Sequence, residues 1–171
     1  MRGLGHRVQQ DYTAAIAACQ QALALDRTLN PESADVASDL NTLAAAERLS
    51  GDYAAAERDY TEALRIAQQV NYREGVAYIT GNLAELALDR EDWPTTARLA
   101  REALGLAETL GRLELVGAHC QRLATALARQ GQPQEGLPYA RRAMEIYTRL
   151  KISPDEMEAA QAALRDCEAG G

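Results

Sequence analysis

The sequence is poor in aromatic residues: 5% of its 171 residues are aromatic, phenylalanine is absent and tryptophan occurs once. Large rings therefore cannot fill the interior. Alanine and leucine must do so, which favours helices whose axes approach one another closely. Hydrophobic residues make up 47% of the chain, enough for a core, so wholesale disorder is excluded. The composition predicts a mostly helical protein.

Positive charge is also scarce, with 18 Lys and Arg against 25 Asp and Glu and a formal net charge of −7. Nucleic acids and anionic membranes are bound through basic residues, so we expect neither as a partner. No apolar run reaches the roughly 18 residues of a membrane span, and the amino-terminal segment lacks a signal-peptide core. We therefore expect a soluble, cytoplasmic protein. The single lysine, Lys151, beside abundant Arg and Ala is typical of a GC-rich bacterial genome.

Catalytic and metal-binding signals are missing. Cys19, Cys120 and Cys167 are too far apart for a disulfide framework or a zinc site, and each is interpreted as a small buried thiol. Neither His6 nor His119 has an acidic neighbour at metal-site spacing. The sequence has no glycine-rich phosphate loop after a strand and no Gly-x-Ser-x-Gly motif. We therefore predict that the protein is not an enzyme and holds no metal and no cofactor.

An internal repeat with a period of forty positions is the clearest feature that is present. A related pattern, shifted by one position, precedes it between Asp11 and Leu25. Two apolar pairs carry the repeat, and each recurs once per period: Leu43-Ala44, Leu83-Ala84 and Leu123-Ala124 for the first, and Ala63-Leu64, Ala103-Leu104 and Ala143-Met144 for the second.

Each unit is interpreted as a helix, a short polar turn and a second helix. Apolar residues follow the helical period on both sides of a turn in which Gly51 suits a left-handed residue and Asp52 can cap the next helix. Pro94 and Pro133 stand where the second helices of the following units begin. We therefore divide the chain as a single domain, 1–171, made of a partial repeat 1–30, repeats 33–71, 73–111 and 113–151, and a capping helix 154–168.

The two ends of the array differ. The last helix opens with the capping box Ser153-Pro154-Asp155-Glu156 and is amphipathic, as suits a helix that covers a terminal repeat. At the other end, the helix from Asp11 to Asp26 has few residues before it to form its partner helix. Its apolar face is then left uncovered, and we expect either a longer parent protein or a homodimer through the amino-terminal end. That face carries Tyr12, Ile16, Cys19 and Leu23.

These residues resemble the signature of the tetratricopeptide repeat family over roughly residues 11–150, in a long form similar to the repeats of kinesin light chains and many bacterial regulators. The signature positions are Leu43, Ala44, Gly51, Asp52, Tyr53, Ala56, Tyr60, Ala63 and Leu64.

The resemblance implies an all-α fold: a right-handed α-solenoid of antiparallel helix pairs, whose first helices line a concave groove, with a carboxyl-terminal capping helix. It also implies a non-catalytic module that presents the groove to a peptide or helix of a protein partner. The alternative is a sensory or regulatory arm of a larger bacterial signalling or transcription-regulator protein.

Groove residues are expected on the first helices, pointing away from the Leu-Ala seam. Carboxamides there can pair with both donors and acceptors of a peptide backbone, and Arg122 can form a forked pair with a carboxylate. By the resemblance, Asn82 and Arg122 match an Asn and an Arg of members that bind peptide termini. The alternative, that these are solvated or inter-helix polar residues, stays open. The candidate residues are Asn41, Arg48, Tyr78, Asn82, Glu85, Gln121, Arg122 and Arg129.

Overall fold

The computed structural model describes residues 2–170, with side chains from residue 11 to residue 170, so the side chain of His6 lies outside the described residues. Over that range the chain forms eight α-helices and no strand, and the predicted all-α class is confirmed. The helices are α1 Arg2–Leu29, α2 Ala34–Ser50, α3 Tyr53–Gln69, α4 Arg73–Asp89, α5 Trp93–Leu110, α6 Leu113–Arg129, α7 Pro133–Leu150 and α8 Pro154–Ala169.

A residue with positive φ stands in each turn from the end of α2 onwards, at a constant interval of half the sequence period. Such a residue ends a helix because its N–H reaches back to a carbonyl of the last turn, as Gly51 N does to Arg48 O at 3.0 Å. Each sequence period is thereby divided into two equal halves, one for each helix of a pair. The residues are Gly51, Asn71, Glu91, Gly111, Gly131 and Lys151, with φ between 53° and 90°.

The connection between α1 and α2 breaks this rule. Pro31 stands where the interval would place the left-handed residue, and the pyrrolidine ring holds φ near about −65°. The connection therefore spans 30–33 and is longer than every later turn. The extra length accounts for the shift of the first unit by one position in the sequence.

The predicted start of the first helix was wrong. We expected a helix from Asp11 to Asp26, but α1 runs from Arg2 to Leu29 without interruption. It contains no proline, the residue that most strongly interrupts a helix, so nothing in the sequence ends it near Asp11. The residues before Asp11 extend α1 and do not form a separate partner helix.

The predicted helix caps are confirmed. Ala55 N donates to the Asp52 carboxylate at 3.0 Å at the start of α3. Pro94 and Pro133 occupy the first turns of α5 and α7. At the start of α8, Glu156 N donates to Ser153 Oγ at 3.4 Å, which is the N-cap bond of the predicted capping box. Ser153 Oγ in turn donates to Glu156 Oε2 at 2.7 Å.

The chain divides into two compact units, unit 1 (residues 1–82) and unit 2 (residues 83–171), and the boundary falls within α4. In unit 1, α1 packs against α2 and α2 against α3, around buried Leu40, Tyr60 and Ile66. Many of the remaining core positions are alanines with no exposed surface, such as Ala37 and Ala63. Small residues let the helices approach closely, as the shortage of rings predicts.

In unit 2, α5 packs against α6, α6 against α7, and α8 against both α6 and α7. The α8 face that meets them buries Ala160, Ala163 and Cys167, so α8 covers the last helix pair. Cys120 is also fully buried, but Cys19 in unit 1 is only half-buried, contrary to the expectation that all three thiols are enclosed. No described helix combines the length and apolar character of a membrane span.

Candidate functional site

Unit 2 contains a cleft of about 340 Å³ on the side of the first helices. Three of the predicted groove residues, Glu85, Gln121 and Arg122, lie together in it. Its walls come from α4, α6 and α8, with one side chain from α7, and its lining residues are Glu85, Leu88, Asp89, Ala118, Gln121, Arg122, Tyr147, Asp155, Glu156 and Ala159.

Arg122 is engaged by two neighbours inside unit 2. Its Nη2 donates to Glu85 Oε2 at 2.7 Å, and its Nη1 lies 3.3 Å from His119 Nδ1. The imidazole is 1% exposed, and burial together with the Arg122 cation lowers the pKa of His119 to about 3. The neutral ring accepts through Nδ1 and carries its proton on Nε2, for which the described residues supply no partner. Arg122 therefore both lines the cleft and joins α6 to α4 through Glu85.

Carboxylates outnumber cations around this cleft, where Arg122 faces Glu85, Asp89, Asp155 and Glu156. The potential in the cleft is therefore negative. Its remaining surface is small or apolar, from Leu88, Ala118, Ala159 and the ring of Tyr147.

Gly117 positions the Tyr147 ring. A Cβ at this glycine would lie 2.5 Å from Tyr147 Cε1, so only glycine lets the ring pack against α6. Tyr147 is 3% exposed, and burial raises its pKa to about 12, which keeps the phenol neutral. The ring is a fixed, uncharged part of the cleft.

In unit 1, two predicted groove residues bond to each other. Asn82 Nδ2 on α4 donates to Asn41 Oδ1 on α2 at 2.8 Å, and both side chains are half-buried. The bond uses one donor and one acceptor, and each carboxamide has others with which it can meet a ligand.

The other candidates are not part of the unit 2 cleft. Arg48 and Tyr78 are half-buried on α2 and α4 of unit 1. Arg129 is exposed in the last turn of α6, where it forms an ion pair with Asp166 of α8 at 3.3 Å.

The contribution of α8 to this cleft was not predicted from the sequence. Asp155, Glu156 and Ala159 line the unit 2 cleft, although α8 was assigned only a covering role. A signal was present: α8 begins at Pro154, one period after the start of α6 at Leu113, with the same shift by one position that separates the first unit from the second. By its position in the repeat, α8 corresponds to a further first helix, and its first turns line the same cleft as α4 and α6.

Unit 1 contains a second cleft, of about 330 Å³, between α1, α2 and α3. Leu23, Leu40 and Leu43 form its apolar floor. At its rim, Arg27 Nη2 donates to Glu62 Oε1 at 2.8 Å.

Beside this second cleft lie two buried carboxyl groups. Glu47 of α2 is 5% exposed and Asp59 of α3 is 6% exposed. Asp59 lines the cleft and accepts from Arg58 Nε at 2.8 Å. Burial, the Asp59 carboxylate and its hydrogen bond raise the pKa of Glu47 to about 7. Glu47 follows the Leu43-Ala44 seam at helical spacing, which is the signal that could have identified it as an inward-facing acid.

No group of three or more His, Cys, Asp or Glu side chains suited to hold a metal occurs among the described residues.

Two tetratricopeptide repeat family models match the sequence, one over residues 2–69 and the other over residues 116–150. No curated protein sequence matches it. The family matches thus fall on parts of both units.

Several solved structures share the fold. A Podosopora anserina protein, described as a kinesin light chain with nearly identical TPR-like repeats, superimposes in two crystal structures with TM-scores of 0.75 and 0.74 at 20% and 19% identity. These alignments cover 98% of this chain and 82% and 83% of the other. BtubC (BKLC) of P. vanneervenii has a TM-score of 0.68 at 20% identity, over 92% of this chain and 72% of its own. These similarities show the fold alone, an all-α repeat solenoid.

Proposed function

Because the chain belongs to the tetratricopeptide repeat family, we propose that it binds a segment of a partner protein on the exposed faces of its first helices. Repeats of this family are scaffolds for protein–protein interaction and are generally non-catalytic. The cleft of unit 2 is the observation that carries the proposal, because three first helices build its walls and three sequence-predicted residues lie in it.

The cleft suits an extended or helical segment of a protein. Leu88 and Ala118 offer apolar surface to a partner side chain, and Gln121 offers both donors and acceptors to its backbone. Packed helices hold these groups in place before binding, so little ordering cost remains on this side of the interface. In unit 1, the Asn41–Asn82 pair offers the same kind of backbone contact.

Site-specific crosslinking tests this proposal. A photoreactive amino acid placed at Ala118 should capture a partner segment, whereas the same residue at Gly105, exposed on α5 with open space around it, should not. Ala118→Trp should then weaken binding of a synthetic copy of that segment by about tenfold or more, because the ring fills the cleft. Gly105→Trp is the matched control and should leave the affinity unchanged. Equal capture at the two positions, or unchanged affinity of Ala118→Trp, would exclude the cleft.

We also propose a homodimer through α1, on a face other than the one predicted from the sequence. Leu23 of the predicted face is only 6% exposed, because α1 packs against α2. Leu25 and Leu29 lie one helical turn apart and are 63% and 78% exposed, and Ala18 continues the same exposed face. Burying two leucines against a second copy removes their apolar surface from water, which favours association.

Sedimentation equilibrium tests the homodimer. The native chain should show a dimer at micromolar concentrations, and Leu25→Glu with Leu29→Glu should make it monomeric. Gln20→Glu, on the same helix, is the control for added charge. A native chain that stays monomeric with α1 amides protected from exchange would contradict the proposal.

A further inference from the structure

The carboxyl groups of Glu47 and Asp59 are an unfavourable element of unit 1. Burying two acids side by side costs free energy unless a donor or a cation satisfies them. Asp59 accepts a hydrogen bond from Arg58, whose side chain is 68% exposed. Glu47 Oε2 is buried and has no hydrogen-bond partner among the described residues. The pair therefore retains capacity for one more positive group.

The cleft next to this pair is suited to an aliphatic side chain that ends in a polar group. Its floor is made of Leu23, Leu40 and Leu43, and Asp59, itself 6% exposed, is one of its lining residues. Basic side chains bury their methylene stems on apolar surface and keep the charged head at a polar partner. An apolar floor with a buried carboxylate beside it matches that combination.

We propose that this cleft binds a lysine or arginine side chain of a partner protein, with the stem on the leucine floor and the charged head on Asp59. An anionic ligand fits less well, because both arginines of the rim already pair with acids, Arg27 with Glu62 and Arg58 with Asp59. The cleft lies between α1, α2 and α3 and is separate from the first-helix faces proposed above, so it constitutes a second binding surface.

Binding at Asp59 is coupled to the proton of Glu47. Burial raises the pKa of Glu47 to about 7, together with the carboxylates of Asp59 on α3 and Asp52 in the turn, whereas the Arg58 cation on α3 acts in the opposite direction. Glu47 therefore holds a proton on roughly half of the molecules at pH 7. A cationic head at Asp59 favours the ionised form of Glu47, so the pair releases a proton to solvent as the ligand binds.

The first test uses two small probes with the full chain, N-acetyl-lysine N-methylamide and N-acetyl-norleucine N-methylamide. They share the stem and differ in the charged head. The lysine probe should shift the NMR signals of the Leu23, Leu40 and Leu43 methyl groups, and should lower the midpoint of the Glu47 carboxyl titration. The norleucine probe should do neither. Equal shifts with both probes, or no shift of these methyl groups at the solubility limit, would overturn the proposal.

Two variants and a control make the second test. Asp59→Asn should weaken the lysine probe by about tenfold or more, the scale of one lost charge-assisted hydrogen bond. Glu47→Gln keeps a neutral side chain in place and should still bind, but calorimetry in buffers of different ionisation enthalpy should show no proton release. Glu102→Gln, exposed on α5 of unit 2, should bind and release protons as the native chain does. Folded Asp59→Asn with unchanged affinity, or a native chain without proton release, would refute it.

These outcomes are independent of the first-helix faces. A lysine probe that fails here leaves the crosslinking at Ala118 unaffected, and Ala118→Trp should not alter the response of the Leu23, Leu40 and Leu43 methyl groups. Probe-induced shifts that cluster around Ala118 and Gln121, and not around the leucine floor, would assign basic side chains to the unit 2 cleft and overturn the present proposal.

Discussion

Units 1 and 2 are built from the same kind of helix pair, yet burial raises the pKa of acidic groups in unit 1 and lowers the pKa of a histidine in unit 2. Unit 1 buries the acids Glu47 and Asp59 against each other, and burial with a hydrogen bond to Asp26 likewise raises the pKa of Asp39. Unit 2 buries the imidazole of His119, whose pKa is lowered. The folded state therefore holds extra protons in unit 1 and excludes one in unit 2. An array of similar repeats can thus respond to pH in two directions.

The largest effect expected from this difference is in unit 1. The folded pKa of Glu47, about 7, lies above its unfolded value of 4.5, so the stability that this group contributes is greatest below pH 4.5 and declines as the pH rises to 7. The full decline is about 3 kcal/mol. Hydrogen exchange of the α2 and α3 amides, corrected for intrinsic rates, should show it. Glu47→Gln should remove most of the slope, and a slope that persists unchanged would assign the effect to other groups.

Unit 2 should respond in the opposite direction. The folded pKa of His119, about 3, lies below the unfolded value of 6.5, so the unfolded state binds more protons as the pH falls below 6.5. Between pH 6.5 and pH 5, unit 2 should lose about 2 kcal/mol. Urea unfolding followed by the fluorescence of Trp93, the one tryptophan of the chain, should report it. His119→Gln should be insensitive over that range, and an equal loss in this variant would implicate another residue.

Helix caps should contribute equally in the two units. Asp52 accepts from Ala55 N at 3.0 Å at the start of α3, and Asp92 accepts from Thr95 N at 3.2 Å at the start of α5. Replacing either aspartate with alanine should cost about 1 kcal/mol, the usual value of a lost cap. Denaturant unfolding of the two variants checks this. A much larger loss in one unit would show that its cap also supports packing.

The smallest expected effects lie in the turns. Glu91 in unit 2 and Asn71 in unit 1 both have left-handed backbones, with φ of 56° and 57°. Glu91→Gly should increase the free energy of unfolding by about 0.5–1 kcal/mol and so raise the melting temperature, because glycine has no Cβ to strain the left-handed backbone. Asn71→Gly should change it less, since asparagine tolerates this region. An equal gain at both positions would show that side-chain type is irrelevant there.

Helix order and most helix ends could be predicted because capping and turn residues stand beside them in the sequence. Gly51, Asp52, Pro94 and Ser153 act on their own neighbours, so their effects are visible in sequence. The start of α1 could not be predicted in the same way, because it was inferred by analogy with later units and not from a cap.

The candidate site was predictable only in part. The register of the repeat placed Glu85, Gln121 and Arg122 on one side, and the unit 2 cleft brings them together. The sequence does not reveal that Arg122 bonds to Glu85 of another helix, because that depends on helix spacing and side-chain rotamers. Nor does periodicity show whether an inward-facing acid such as Glu47 is satisfied. The sequence pattern therefore predicts the helix face on which a residue lies, whereas the contacts of its side chain are known only from the three-dimensional structure.

The constant spacing of left-handed residues has a consequence for gene rearrangement. Excising or duplicating one full period between equivalent points, for example from Gly51 to Glu91 or from Gly111 to Lys151, leaves every remaining turn in phase with its helices. A change of half a period also preserves the turns but exchanges the two kinds of helix beyond the junction, so seam leucines would meet solvent. Recombination by a full or a half period therefore preserves the backbone geometry of the turns. Only recombination by a full period also keeps each side chain in an environment that suits it.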